Sequence, residues 1–222
     1  MLGLLAAAIL SMSGDTPAPY ARFLALGDSY TIGEGVAANG RWPDQLAAQL
    51  HAAGIALEPP EIVARTGWTT DELSAAMDAH AFRPPYALVT LLIGVNNQYR
   101  GRDIDNYRQE FRALLERAIA LAGGKPARVV VVSIPDWGVT RFGHASGRDT
   151  ARIAHELDAY NAANAQIATM LHCGYADVTA ASRAGADHAD MLVGDGLHPS
   201  AAMYARWVEA ILPAARAALS SP

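Results

Sequence analysis

The chain has 222 residues, 51% of them apolar and 18% charged, with a formal net charge of −5. That balance fits a globular protein with a sizeable core, and it excludes the basic stripe that wholesale nucleic-acid binding demands. Its single cysteine, Cys173, rules out an intrachain disulfide and a Cys-based metal cage; beside Leu171 and His172 it reads as an inert thiol near a helix end.

Met1 to Leu10 is an apolar run too short to span a bilayer. With Ser11-Met12-Ser13 behind it, the run resembles the apolar part and cleavage site of a secretory signal, yet no Lys or Arg precedes it. Export and a cytoplasmic location therefore both stand open. Thr16-Pro17-Ala18-Pro19 reads as a linker. The expected division is an N-terminal extension and linker over 1–19 and one domain over 20–222.

Beyond the linker, strand-like runs alternate with helical patterns. Phe23 to Leu26 is a buried strand that stops at Gly27-Asp28-Ser29-Tyr30, and Trp42, Leu46 and Leu50 then fall at helical spacing before Gly54. Glu61 to Ala64 is a short strand, followed by a helix capped by Thr69 or Thr70 and running through Met77. Ala87 to Ile93 is a continuous apolar run, the mark of a strand covered on both faces. Tyr107, Phe111, Leu114, Leu115 and Ala118 form a helical stripe before Gly123-Gly124. Val129 to Ile134 is the next strand, and Asp149 to His172 a long amphipathic helix. Tyr175 to Val178 is the last strand, and Met203, Trp207 and Ile211 mark a closing helix. Five strands alternating with helices imply an α/β fold, a three-layer α/β/α sandwich around a five-stranded parallel sheet.

In such a sheet the strand ends share one edge, where ligands bind. Each run here is followed by residues able to do chemistry. Ser29 follows the first, Arg65 to Thr69 the second, Gly94-Val95-Asn96-Asn97 the third and Pro135-Asp136-Trp137-Gly138 the fourth. Asp195-Gly196-Leu197-His198-Pro199 precedes the closing helix. Hydrolysis through a serine needs a base for its proton, an acid to orient that base, and donors for the developing oxyanion. His198 and Asp195, three residues apart, suit the base and the acid. Ser29 and Gly67, through their N–H groups, and Asn96, through its side-chain amide, suit the oxyanion hole. Taken singly, Gly67 also reads as a loop glycine and Asn96 as a turn residue.

Together, Gly27-Asp28-Ser29-Tyr30, Gly67, Gly94-Val95-Asn96 and Asp195-Gly196-Leu197-His198 resemble the four blocks of the SGNH, or GDSL, hydrolases, in that family's order. The resemblance covers about Tyr20 to Leu219. It implies a flavodoxin-like fold, a Ser29-His198-Asp195 triad and an oxyanion hole from Ser29, Gly67 and Asn96. It also implies a serine esterase acting through an acyl-enzyme, on a small-molecule ester and without a cofactor. Acyl esters, thioesters, lysophospholipids and sugar acetates all fall within the family's range. The chain departs from its pattern at Tyr30, where the family name has leucine, and at Asn97, where an aspartate often follows.

Trp68, Asn97, Tyr99 and Trp137 are the candidates for binding substrate, with ordinary packing an equal reading for the aromatics. Asp28 and Asp136 read as structural groups bonding loop amides. Arg100 and Arg102 suit either an anionic head group or a solvated loop, and Phe142 to Gly147 either a mobile cover or an idle loop. The remaining histidines show no metal-site spacing. No feature sets an oligomeric state. A rival of another class is a noncatalytic carbohydrate- or lipid-binding domain of the same fold. A phosphate-cradling loop over Gly27 to Gly35 lacks the required lysine and glycine spacing.

Overall fold

The computed structural model describes residues 20–185, 188 and 190–220. The extension and linker expected over 1–19 lie outside the described residues. Five strands, β1 (Phe23–Gly27), β2 (Glu61–Ala64), β3 (Leu88–Leu92), β4 (Val129–Val132) and β5 (Gly174–Ala176), pair in parallel in the order β2-β1-β3-β4-β5. The three inner strands are buried at every residue, which is why they read as unbroken apolar runs.

Helices return the chain after each strand. α1 (Ser29–Ile32) and α2 (Trp42–Ala52) lead from β1 to β2, and α3 (Thr70–Ala79) leads from β2 to β3. α4 (Val95–Tyr99) and α5 (Ile104–Leu121) join β3 to β4, and α6 (Arg141–Ala145) and α7 (Thr150–Met170) join β4 to β5. α8 (Thr179–Gly185) and α9 (Ala201–Ser220) follow the last strand. α2 and α9 pack together on one face, while α3, α5 and α7 form a row on the other. The result is the expected three-layer α/β/α sandwich, with the flavodoxin-like strand order. Among the described residues, no helix is long and apolar enough to cross a membrane.

This order puts a switch point between β1 and β3, where successive connections leave in opposite directions. Gly27 and Leu92, the last residues of those strands, are partners in the ladder. The loops carrying Ser29 and Asn96 therefore leave the sheet side by side.

Several strands end sooner than their apolar runs. β4 stops at Val132 because Ile134 N–H is taken by Asn161 Oδ1 at 2.8 Å instead of by a neighbouring strand. β5 stops at Ala176 because Ser133 Oγ accepts from the N–H of Val178 at 2.8 Å and of Thr179 at 3.1 Å. The segment from Phe142 to Gly147 is not a free cover. It is largely α6, capped by the Thr140 side chain and tied to the loop before α9 by a 3.0 Å bond from Phe142 N–H to the Gly196 carbonyl.

Gly94, between β3 and α4, has φ of +131°, and a Cβ there would lie 2.5 Å from the Tyr107 hydroxyl and 2.8 Å from Ile134. Only glycine combines that backbone angle with that closeness. Gly94→Ala should cost roughly 2–4 kcal/mol of stability, from backbone strain and overpacking together, read as a lower urea midpoint with an unchanged m-value.

Candidate active site

β1 ends in a bend that gives Ser29 its place. Asp28 caps α1 by accepting the Tyr30 N–H at 3.0 Å, and Ser29 opens the helix with a side chain almost wholly buried against the loops around it. Gly33, at φ of +72°, closes the turn by donating to the Ser29 carbonyl. A one-turn helix is too short to persist on its own. Its position comes from these two caps and from burial.

His198 is set by a loop that folds back on itself. Leu192 and Pro199 form an antiparallel bridge, Val193 N–H donates to the His198 carbonyl at 2.9 Å, and Gly196 turns at φ of +71°. Asp195 bonds across this turn from a partly exposed position. Its Oδ1 accepts the N–H groups of Leu197 at 2.8 Å and His198 at 3.0 Å, and its Oδ2 lies 2.6 Å from His198 Nδ1. Burial pushes the Asp195 carboxyl up, but the bonds from the imidazole and the two amides outweigh it and hold the group below its ordinary value. An ionised carboxylate only accepts, so the Nδ1 proton is fixed and Nε2 is left as the basic nitrogen.

Ser29 and His198 line the same cleft of about 250 Å³, without a direct hydrogen bond between their side chains. Catalytic contacts are commonly loose before substrate arrives. Gly67 and Asn96 line it too. Gly67 has φ of +88°, and Asn96 donates one amide hydrogen to the Trp68 carbonyl at 2.9 Å, which orients the amide and leaves the other hydrogen uncommitted. The cleft brings together all the residues expected to act on an ester: Ser29, His198 with Asp195 behind it, Gly67 and Asn96.

Of the four residues expected to bind substrate, Tyr99 and Trp137 line the cleft and Trp68 and Asn97 do not. Trp68 lies in a separate groove beside β2 and α3, and it serves the site through its carbonyl rather than its ring. Asn97 is fully buried. Its amide accepts from Thr70 N–H at 3.1 Å and donates to Thr70 Oγ1 at 2.6 Å, pinning the loop after β2 to the loop after β3. Arg100 and Arg102 are engaged with Glu72 and Asp71, and Arg100 also donates to the Gly67 carbonyl at 2.7 Å. Thr66, Val95 and Leu197, which the sequence reading gave no role of their own, line it too. Each adjoins a motif residue in sequence, the one signal that pointed to it.

Tyr30 stands beside His198, its ring 5.8 Å from the imidazole and 5.9 Å from Trp207. Phe142, Trp137 and Tyr99 form an aromatic wall, with successive ring centres 6.1 and 5.4 Å apart. Asp136 is structural, accepting from Gly138 N–H and from Arg183, both at 2.9 Å. Burial pushes the Cys173 thiol up to about 12, the behaviour of an unreactive group. No cluster of metal-ligating side chains occurs among the described residues.

A model of the GDSL-like Lipase/Acylhydrolase family matches residues 25–206. The chain belongs to this family. It is accordingly a carboxylic ester hydrolase. Its fold is similar to that of TesA, at 20% identity and a TM-score of 0.70 over 89% of this chain and 99% of that one. It is also similar to Axe2, an acetylxylan esterase from Geobacillus stearothermophilus (20% identity, TM-score 0.66, 88% and 94% covered). A third likeness is to the psychrotrophic esterase EstA from Pseudoalteromonas sp. (16% identity, TM-score 0.65, 90% and 99% covered). Comparison with curated proteins found no match.

Asp28 next to the serine is fully buried, with one carboxyl oxygen lacking a partner, and burial pushes its carboxyl up to about 7 against the two backbone N–H groups that favour the charge. Its folded-state value is thus above the unfolded one, so its contribution is fully present below about pH 4 and is lost as pH rises through about 7. Asp28→Asn keeps an acceptor for the Tyr30 N–H and removes this titration. The melting temperature of the variant minus that of the parent should rise between pH 4 and about pH 7 and level off above it.

Proposed function

We propose that Ser29 is the nucleophile of a serine esterase, with His198 as its base and Asp195 as the group that orients the base. The observation that carries this reading is the 2.6 Å bond between Asp195 and His198 Nδ1, which frees Nε2 in a cleft that also holds Ser29. Ser29 Oγ attacks the ester carbonyl carbon while Nε2 takes the hydroxyl proton, and charge collects on the carbonyl oxygen. The N–H groups of Ser29 and Gly67 and the free amide hydrogen of Asn96 stabilise that oxyanion. Collapse breaks the bond to the alcohol, which leaves with the proton from His198. Water then attacks the acyl-serine, giving its proton to the same nitrogen, and releases the acid and Ser29.

The reacting esters carry small or single-chain acyl groups. A cleft of about 250 Å³ lies at the low end for small-molecule sites, and its apolar wall of Tyr99, Trp137 and Phe142 suits a short hydrocarbon. The acetylxylan esterase Axe2, which shares the fold, supports sugar O-acetylesterase activity as an alternative beside the thioesterase and lysophospholipase activities within the family's range, and a series of esters from acetyl to palmitoyl, with acetylxylan and an acyl-thioester, separates them.

Ser29→Ala should remain folded and lose about 10⁴-fold or more in kcat towards 4-nitrophenyl acetate, and it should no longer be labelled by a fluorophosphonate. Asn96→Ala should cost about 10²–10³ in kcat through the lost oxyanion donor. Hydrolysis and labelling unchanged in Ser29→Ala would remove Ser29 as the nucleophile, whereas ligand binding with neither hydrolysis nor labelling in the parent protein would favour the noncatalytic binding domain.

A further inference from the structure

Tyr99 lines two spaces at once: the cleft of Ser29 and a larger open groove of about 470 Å³ on the flank of α4 and α7. The groove is lined by the side chains of Arg100, Arg148 and Arg152 together with Asp149 and Glu156. Most of these charges are committed. Arg152 pairs with Glu156 at 2.7 Å, and the other Glu156 oxygen accepts from Gln98 at 2.8 Å. Asp149 caps α7, and Arg100 is bound to Glu72 and the Gly67 carbonyl.

Arg148 is the exception. No carboxylate comes within ion-pair distance of it among the described residues, although its charge adds to the Arg152 and Gln98 bonds that hold the Glu156 carboxyl below its ordinary value, and its side chain makes one hydrogen bond there, from Nη1 to the Tyr99 carbonyl at 2.9 Å. Its guanidinium is nevertheless held in place, 4.1 Å from the centre of the Tyr99 ring and 5.7 Å from that of Trp137. The platform beneath it is also fixed. Trp137 Nε1 donates to Gln98 Oε1 at 2.8 Å, and Gln98 is anchored in turn to Glu156. A stacked guanidinium with unused donors suits a planar or tetrahedral oxyanion group, because its fork is already oriented and little rotamer freedom remains to be lost.

We propose that Arg148 is a specificity-determining residue that binds an anionic group, carboxylate or phosphate, carried by the ester whose carbonyl lies at Ser29. The inference rests on the esterase reading of the cleft and adds a second point of attachment across Tyr99. It also moves the anion-binding role, which the sequence offered to Arg100 and Arg102, onto the one guanidinium of the groove without a carboxylate partner.

The test compares matched esters. Mono-4-nitrophenyl glutarate against 4-nitrophenyl pentanoate places the charge on the acyl side; 1-butyrylglycerol 3-phosphate against monobutyrin places it on the alcohol side. Arg148→Gln should lower the anionic-to-neutral ratio of kcat/KM roughly tenfold in one of the two pairs, the loss expected for one charge-assisted contact, and Arg148→Lys should lower it less. Binding provides a readout without turnover: in Ser29→Ala, monomethyl glutarate or glycerol 3-phosphate should quench tryptophan fluorescence, and Arg148→Gln should weaken that quenching. Unchanged ratios in both pairs, or equal quenching with and without Arg148, overturn the proposal. Arg148-dependent quenching in a protein that hydrolyses none of the esters leaves the anion site standing and removes the esterase reading instead.

Discussion

A parallel ladder returns the chain to the same end of the sheet after every strand, so all five carboxyl ends here open on one edge. The residues after β1, β2 and β3 meet there although the sequence separates them widely. The pairing of Gly27 with Leu92 brings the loops of Ser29 and Asn96 together with no further device. At the same point the backbones approach so closely that a Cβ on Gly27 would fall 2.2 Å from Thr31 Oγ1 and 2.5 Å from the Leu92 carbonyl. Gly27 at the end of β1 is therefore a packing requirement as much as a flexible joint.

The same edge is where the ladder stops supplying partners to the backbone, and polar side chains take over. Asn161 accepts the Ile134 N–H and donates to its carbonyl, closing the end of β4 against α7. Ser133 does the same for the turn after β5, with Asp177 and Thr179 joined to it. Asn97 ties Thr70 and, through it, the partly exposed Glu110 into one chain of bonds. A network of this kind is costly when incomplete and rigid when satisfied, which suits loops that must hold reacting groups in register.

These fasteners explain what the sequence disclosed and what it withheld. The helices carrying Trp42, Phe111 and Leu157 were legible because burial imposes a period on apolar residues, and the one beginning at Thr70 because of its cap. The motif blocks were legible because each pairs a special residue type with a strand end. Position along the chain does not tell which way a loop side chain turns, so it neither shows that Asn97 is buried between two loops nor decides between a pocket and ordinary packing for the Trp68 ring. Likewise, periodicity does not distinguish an arginine paired with a carboxylate far away in sequence, as Arg102 is with Asp71, from one such as Arg148 that stacks on an aromatic ring. Both facts depend on tertiary contacts between loops.

The surroundings of Ser29 show what it takes to hold a side chain in place on so short a helix. Four residues of α1 contribute almost nothing from propensity, so the chain relies on a capping carboxylate in front, a left-handed glycine behind and a tyrosine ring wedged between His198 and Trp207. The cap needs only one acceptor oxygen, yet the residue is an acid whose second oxygen is buried without a partner. Burying that group works against stability near neutral pH, and it does so at the residue next to the serine. Locally unfavourable choices that the rest of the fold over-determines tend to gather at functional sites, and here the unfavourable residue sits where the backbone must be aimed rather than where the core is made.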